Sequence, residues 1–178
     1  MKSFCIWMIL ATVISFYGCE EKILPSVSST VDSQTLPQQE SWNSTIIVSD
    51  SGRISAIIDA GYIRVSEVSH QTQMSKGVKV HFFNRDGKLT SILTSDSGTV
   101  DETNNNLEAQ KNVVVVSSDS SRMKTEQLFW DNQRQLIYTP AYVQIATLKE
   151  KMQGHGFESD QSLKNYRVFR VTGQTRAE

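Results

Sequence analysis

The sequence predicts an all-β domain, a sandwich or barrel of antiparallel strands. Three observations carry that expectation. Short runs of alternating apolar and polar residues follow one another from Val78 to Ile145, beginning with Val78-Lys79-Val80-His81-Phe82-Phe83. Polar clusters interrupt them about every ten residues, the spacing of turns in such folds. These clusters are Asn84-Arg85-Asp86-Gly87-Lys88, Ser95-Asp96-Ser97-Gly98, Asn104-Asn105-Asn106, Ser117-Ser118-Asp119-Ser120-Ser121 and Asp131-Asn132-Gln133-Arg134. The runs themselves are rich in β-branched and aromatic residues, which fit a pleated, half-buried surface.

The front of the chain reads differently. Lys2 gives a short positive region and Phe4 to Tyr17 an apolar one, shorter than the ~20 residues of a spanning helix. It reads as a secretory signal. Gly18 then precedes Cys19, which resembles a bacterial lipobox, with cleavage over residues 1–18 and lipidation of Cys19. Phe16 and Tyr17 depart from the leucine-like and small residues usual there. An ordinary signal with an incidental cysteine and an uncleaved anchor helix remain the alternatives. An anchor of two or more acyl chains holds stably where one binds marginally, at ~0.8 kcal/mol per buried CH₂. Residues 19–42 continue as a linker with Pro25, Pro37 and many Ser, Thr and Gln. Such a chain typically spans about 25–30 Å and reaches about 75 Å when extended.

The domain is expected over residues 43–178. Thr45–Ser49 and Ile54–Ile58 read as strands around a tight turn at Asp50-Ser51-Gly52. Ala60-Gly61 breaks the second run, Tyr62–Val68 resumes it, and Ser69–Gly77 reads as a loop. Val78–Thr94 is the clearest hairpin, since Gly87 takes positive φ without steric cost. Ser95–Gly98 is expected to be a turn. The four valines Val113–Val116 predict a strand covered on both faces. In Met123–Trp130 the apolar parity changes, and a bulge near Gln127 would reconcile it. Pro140 marks an edge or a strand start, because it donates nothing to a ladder. Lys149–Gln153 is a short strand, Gly154-His155-Gly156 a bend, and Tyr166–Val171 the last strand, with Gln174–Glu178 frayed.

Composition narrows the function classes. A net charge of −1 over 178 residues gives no general attraction to nucleic acid. The two cysteines, Cys5 and Cys19, both precede the domain, which therefore has no thiol for a disulfide, a metal or nucleophilic catalysis. His70, His81 and His155 are far apart and match no metal-ligand spacing. Asp96-Ser97-Gly98 lacks the G-x-S-x-G elbow of a hydrolase serine. No carboxylate pair or phosphate loop stands out, so neither a catalytic site, a metal site nor a cofactor is expected.

Several segments together resemble the β-jellyroll proteins of lipopolysaccharide transport. They are Phe82–Lys88, Leu93–Gly98, Leu107–Val115, Met123–Asp131, Ile137–Thr139 and Gly154–Asp160. Their order over Ser44–Thr172 is similar to the LptC family. That resemblance implies a twisted, open β-jellyroll (OstA-like/LptA-like) of antiparallel strands with an apolar groove for acyl chains. It implies three partners: lipopolysaccharide, the inner-membrane ABC transporter of the Lpt system, and a periplasmic LptA-like jellyroll joined by edge-strand pairing. It also implies a periplasmic, membrane-tethered protein without catalytic residues. The lipobox departs from the transmembrane helix of the best-known members and favours a lipid anchor, at the inner membrane before the outer.

On that basis the candidate lipid-binding residues are Ile46, Val48, Ile58, Val80, Phe82, Leu93, Val113, Val115, Leu128, Trp130, Val143 and Ile145. Plain core packing is the competing explanation for each. The rival function is a structural or protein-binding surface lipoprotein with a closed β-sandwich.

Overall fold

A computed structural model describes residues 39–66 and 68–176. The expected signal, Cys19 and the linker as far as residue 38 lie outside the described residues. Ten strands follow in order: β1 (Gln39–Asp50), β2 (Arg53–Ser66), β3 (Gln71–Phe83), β4 (Leu89–Ser95), β5 (Ser97–Asp101), β6 (Asn106–Ser117), β7 (Arg122–Asp131), β8 (Leu136–Ala146), β9 (Glu150–Asp160) and β10 (Tyr166–Arg176). All belong to one antiparallel sheet ordered β1-β2-β3-β4-β6-β7-β8-β9-β10, with β5 filling the space between β3 and β6 beyond the end of β4. The chain is all-β, as the turn spacing predicts, and the architecture is that of a β-jellyroll.

A transverse crease divides the sheet. At one level of the ladder, nearly every strand carries an irregularity. Asn43 in β1 has φ 50° and lies opposite Gly61 of β2. Lys76 and Gly77 of β3 have φ 60° and 89°. Asp96 interrupts β4 and β5, and Lys111 and Asn112 of β6 have φ 63° and 51°. The register then shifts between Thr125 and Phe129 of β7 and between Thr139 and Tyr142 of β8, and Gly156 of β9 has φ 78°. A β-bulge bends its strand and increases local twist. Bulges aligned across a sheet fold it along that line, so each long strand contributes to two half-sheets whose inner faces meet. At Gly61 the approach is so close that a Cβ would lie 2.5 Å from the Lys76 carbonyl oxygen.

The crease explains where the sequence expectations fail. Gln71–Gly77 is not a loop but the first half of β3, because its polar residues alternate with buried Thr72 and Met74. Ser97–Gly98 belongs to β5 and only Asp96 bends. Gly154–Gly156 and Ala60–Gly61 continue their strands through bulges. Pro140 lies within β8, inside the sheet, where the bulge excuses its missing N–H. β10 runs on to Arg176, and β1 begins at Gln39, four residues into the stretch read as linker. The expected bulge near Gln127 is present, since burial passes from Met123 and Thr125 to Leu128 and Trp130. Of the four valines, Val113 and Val115 are buried, whereas Val114 and Val116 are only half-buried on the outer face.

Candidate functional site

Ladder register builds an apolar inner face strand by strand. In the first half-sheet, one row of directly paired residues runs Ile46–Ile58–Val80–Leu93–Val115–Met123–Ile145–Met152 across eight strands. Side chains alternate faces along a strand, so a single row of this kind commits each strand's register. The second half-sheet contributes Val100–Leu107–Trp130–Ile137 in an equivalent row. Closer to the crease lie Ile63, Met74, Ala109 and Leu128.

All twelve sequence candidates fall on this inner face. Val48, Ile58, Val80, Phe82, Leu93, Val113, Val115, Leu128, Trp130, Val143 and Ile145 are each at most 4% exposed, while Ile46 is half-buried and packs against the same cluster. The structure adds Met123, Ile137, Phe157 and Leu163 to it. Met123 was not legible by parity, since the bulge sets it on the opposite parity to buried Leu128 and Trp130. Nor was Leu163, because it sits in the β9–β10 turn at φ 57° yet is 1% exposed.

The free ends of the two half-sheets, here called lips, meet along a seam. Phe82 from the first lip packs edge-on against Trp130 from the second, with ring centroids 5.0 Å apart. The Ser55 hydroxyl lies 3.3 Å from Asn132 Oδ1 across the seam, and within the second lip Gln161 Nε2 donates to Gln135 Oε1 at 3.1 Å. Polar residues also face inward at the lips: Ser55, Ser91, Ser117, Ser121, Ser159 and Gln161 are all buried. Asp119 in the β6–β7 turn accepts from the Ser117 hydroxyl and the Ser121 N–H, which hold its carboxyl below the usual range; Lys164 of the opposite lip adds to this. Three polar atoms at the lips, Ser91 Oγ, Trp130 Nε1 and Ser159 Oγ, are buried without a protein partner. Natural structures leave few such groups. In this structure the seam is shut and the inner face is covered.

The two ends of the ladder are open. β1 and β10 each pair on one side only. Trp42 and Ile47 on β1, and Phe169 and Val171 on β10, are exposed. β10 is held to β9 at unusually close range. A Cβ on Gly154 would lie 2.2 Å from the Arg170 carbonyl oxygen, and Phe169 lies over Gly156. The Tyr166 hydroxyl donates to Glu150 Oε1 at 2.5 Å and Gln174 Nε2 donates to Oε2 at 2.8 Å. Burial, then the bond to Glu150, pushes the Tyr166 phenol up to about 12.

The histidines do not converge. His81 Nδ1 is 3.7 Å from Asp59 Oδ2, His155 lies edge-on to Tyr142, and His70 occupies the β2–β3 turn. Among the described residues no group of three or more His, Cys, Asp or Glu could hold a metal ion.

A family model described as "Lipopolysaccharide-assembly, LptC-related" matches residues 5–176, nearly the whole chain. No curated protein matches it.

Proposed function

The chain belongs to this LptC-related family of lipopolysaccharide assembly, and we propose that its inner face binds the acyl chains of lipopolysaccharide on their way through the periplasm. Membership places the protein in lipopolysaccharide transport, in the periplasm in association with a membrane, and in a family of transport components rather than enzymes. The domain accepts the lipid from the inner-membrane ABC extractor and passes it to a following LptA-like jellyroll. Cys19, acylated, tethers the domain to the inner membrane.

One observation carries the proposal: the continuous apolar row from Ile46 to Met152, enclosed by two half-sheets that share every long strand. Acyl chains need a trough without polar interruption, and this row supplies one at the centre of the fold. The chains enter when the lips part. Handover is supported by the two open edges, because an unpaired strand edge pairs readily with another strand. With β1 and β10 at opposite ends of one ladder, a partner jellyroll could extend the same trough on either side.

The shut seam favours a second reading, a closed sandwich that serves only as a scaffold for other proteins. Photo-crosslinking separates the two. A photoreactive residue at Phe82, Val115 or Trp130, with outward-facing Lys79 as control, is expected to capture lipopolysaccharide at the inner positions alone. Absence of adducts at all three, in folded protein, would leave the scaffold.

A further inference from the structure

Outside the seam lies a cleft of about 490 Å³ formed where the β3–β4 turn and β6–β7 turn of one lip meet the β7–β8 and β9–β10 turns of the other. Arg85, Lys88, Arg134 and Lys164 line it, against one carboxylate, Asp160. Asp160 is already occupied: its Oδ1 accepts from Ser162 and the Lys164 N–H, and its Oδ2 from Asn165. Among the described residues Arg134 pairs with Glu158 at 3.8 Å and Lys164 acts at longer range on Asp119, while Arg85 and Lys88 make no ion pair. Directly inside the same seam are the buried, unpartnered Ser91 Oγ, Trp130 Nε1 and Ser159 Oγ. Phe82 links the first two, as the cross-strand neighbour of Ser91 and the packing partner of Trp130. Beyond these lies the apolar row.

Cations, then unpartnered hydrogen-bond donors, then apolar side chains complement in order the phosphates, carbonyl acceptors and hydrocarbon of an acylated, phosphorylated sugar. We propose that this seam is the mouth of the groove. Arg85, Lys88, Arg134 and Lys164 hold the phosphates of the glycolipid headgroup. Ser91, Trp130 and Ser159 donate to the carbonyl oxygens of its acyl esters and amides. The chains beyond the carbonyls lie on the row from Val80 to Ile145. Arginine forks suit phosphate geometry, and a charge-assisted bond is stronger than a neutral one. The donors explain themselves in the same way. A buried donor left unpaired is costly, and the lipid that parts the lips supplies the missing acceptors. The proposal rests on the acyl-chain reading above and adds where the lipid enters and which of its groups are recognised.

The test uses the full-length chain in alkyl maltoside micelles, whose detergent has neither phosphate nor carbonyl. Binding is measured for lipopolysaccharide and for its dephosphorylated form, with inorganic phosphate as competitor. Wild type is expected to prefer the phosphorylated lipid by roughly tenfold, as a few exposed cation–phosphate contacts allow. The variant R85Q/K88Q/K164Q, changed only at exposed turn positions, is expected to lose that preference. The variant S91A/S159A is expected to bind both lipids about fivefold more weakly with an unchanged or raised melting temperature, since the hydroxyls it removes have no partner in the empty protein. Competition by inorganic phosphate would assign the cleft to phosphate of either source, and no competition to lipid-borne phosphate alone; both agree with the mouth. A triple variant that keeps the wild-type preference places the mouth elsewhere and overturns the proposal while leaving the groove intact. If wild type binds neither lipid, the acyl-chain reading itself has failed.

Discussion

Replacing Tyr166 with Phe removes one hydroxyl from the clasp that holds edge strand β10 to β9 and leaves the ring stacked on Phe157 at 6.2 Å. Its phenol is raised from 10.0 to about 12, by burial first and then by the bond to Glu150. A rise of about two units corresponds to ~2.7 kcal/mol at most. The largest part of that rise is burial opposing the phenolate, which stabilises nothing near neutral pH, so what Y166F loses there is the hydrogen bond to Glu150, about 1 kcal/mol. The lowered carboxyl of Glu150 reports the same bond from the other side, so the two effects are not added. The sign follows from linkage. Between pH 10 and 12 the unfolded chain has released the Tyr166 proton and the folded chain has kept it, so stability falls as pH rises through that window. Y166F has no such proton. It is expected to melt about 2–4 °C below wild type near pH 8, and the gap should narrow as pH climbs from 10 towards 12. At the acid end the gap should also close, because the depressed Glu150 contributes stability above its unfolded value of about 4.5 that disappears as pH falls through the folded one. Paired thermal melts across pH measure this. A gap that stays constant from neutral to strongly alkaline pH would refute the clasp, whatever its size.

Gly154→Ala forces a Cβ to within 2.2 Å of the Arg170 carbonyl oxygen. It should release β10, seen as faster hydrogen exchange in β9 and β10 with β1–β6 unchanged. Phe82→Ala opens a cavity against Trp130 and should cost about 3–5 kcal/mol in urea unfolding. Gly61→Ala and Gly77→Ala separate crowding from backbone strain at the crease. The first meets the Lys76 carbonyl at 2.5 Å, whereas the second has φ 89° and nothing near its Cβ. G77A should lose about 1–2 kcal/mol, and G61A clearly more.

Strand content and the inner face were legible because both rest on period-two alternation, which local sequence carries directly. Val78, Val80 and Phe82 display it without interruption, and their partners Leu93 and Val115 follow from the same parity. The crease was hidden for a physical reason. A bulge reverses parity partway along a strand, so a long bent strand looks in sequence like a strand next to a loop, as at Gln71–Gly77, or like a short strand that ends in a bend, as at Glu150–Asp160. Lys111 and Asn112 adopt left-handed φ without a glycine to announce it. The mouth was hidden more deeply. Arg85, Lys88, Arg134 and Lys164 belong to three turns separated by long stretches of chain, and each alone is an ordinary solvated turn residue. Only the folding of one lip onto the other brings them together.

One sheet bent along a crease behaves differently from two sheets packed together. The strands are continuous through the bulges, so the half-sheets can rotate about that line with their ladders intact. The cost of parting the lips is then confined to what crosses the seam: the Phe82–Trp130 contact, the Ser55–Asn132 hydrogen bond, and the apolar area they cover. A sandwich of two independent sheets would gain from an apolar seam, since buried hydroxyls contribute less than hydrocarbon there and cost free energy when unpaired. This seam instead collects Ser55, Ser91, Ser117, Ser121, Ser159 and Gln161, at the same lips where three polar atoms lack partners. The stability lies in the crease and the row behind it, and the weakness lies at the lips. A fold with that division can admit a large amphiphile and close again without giving up its core register.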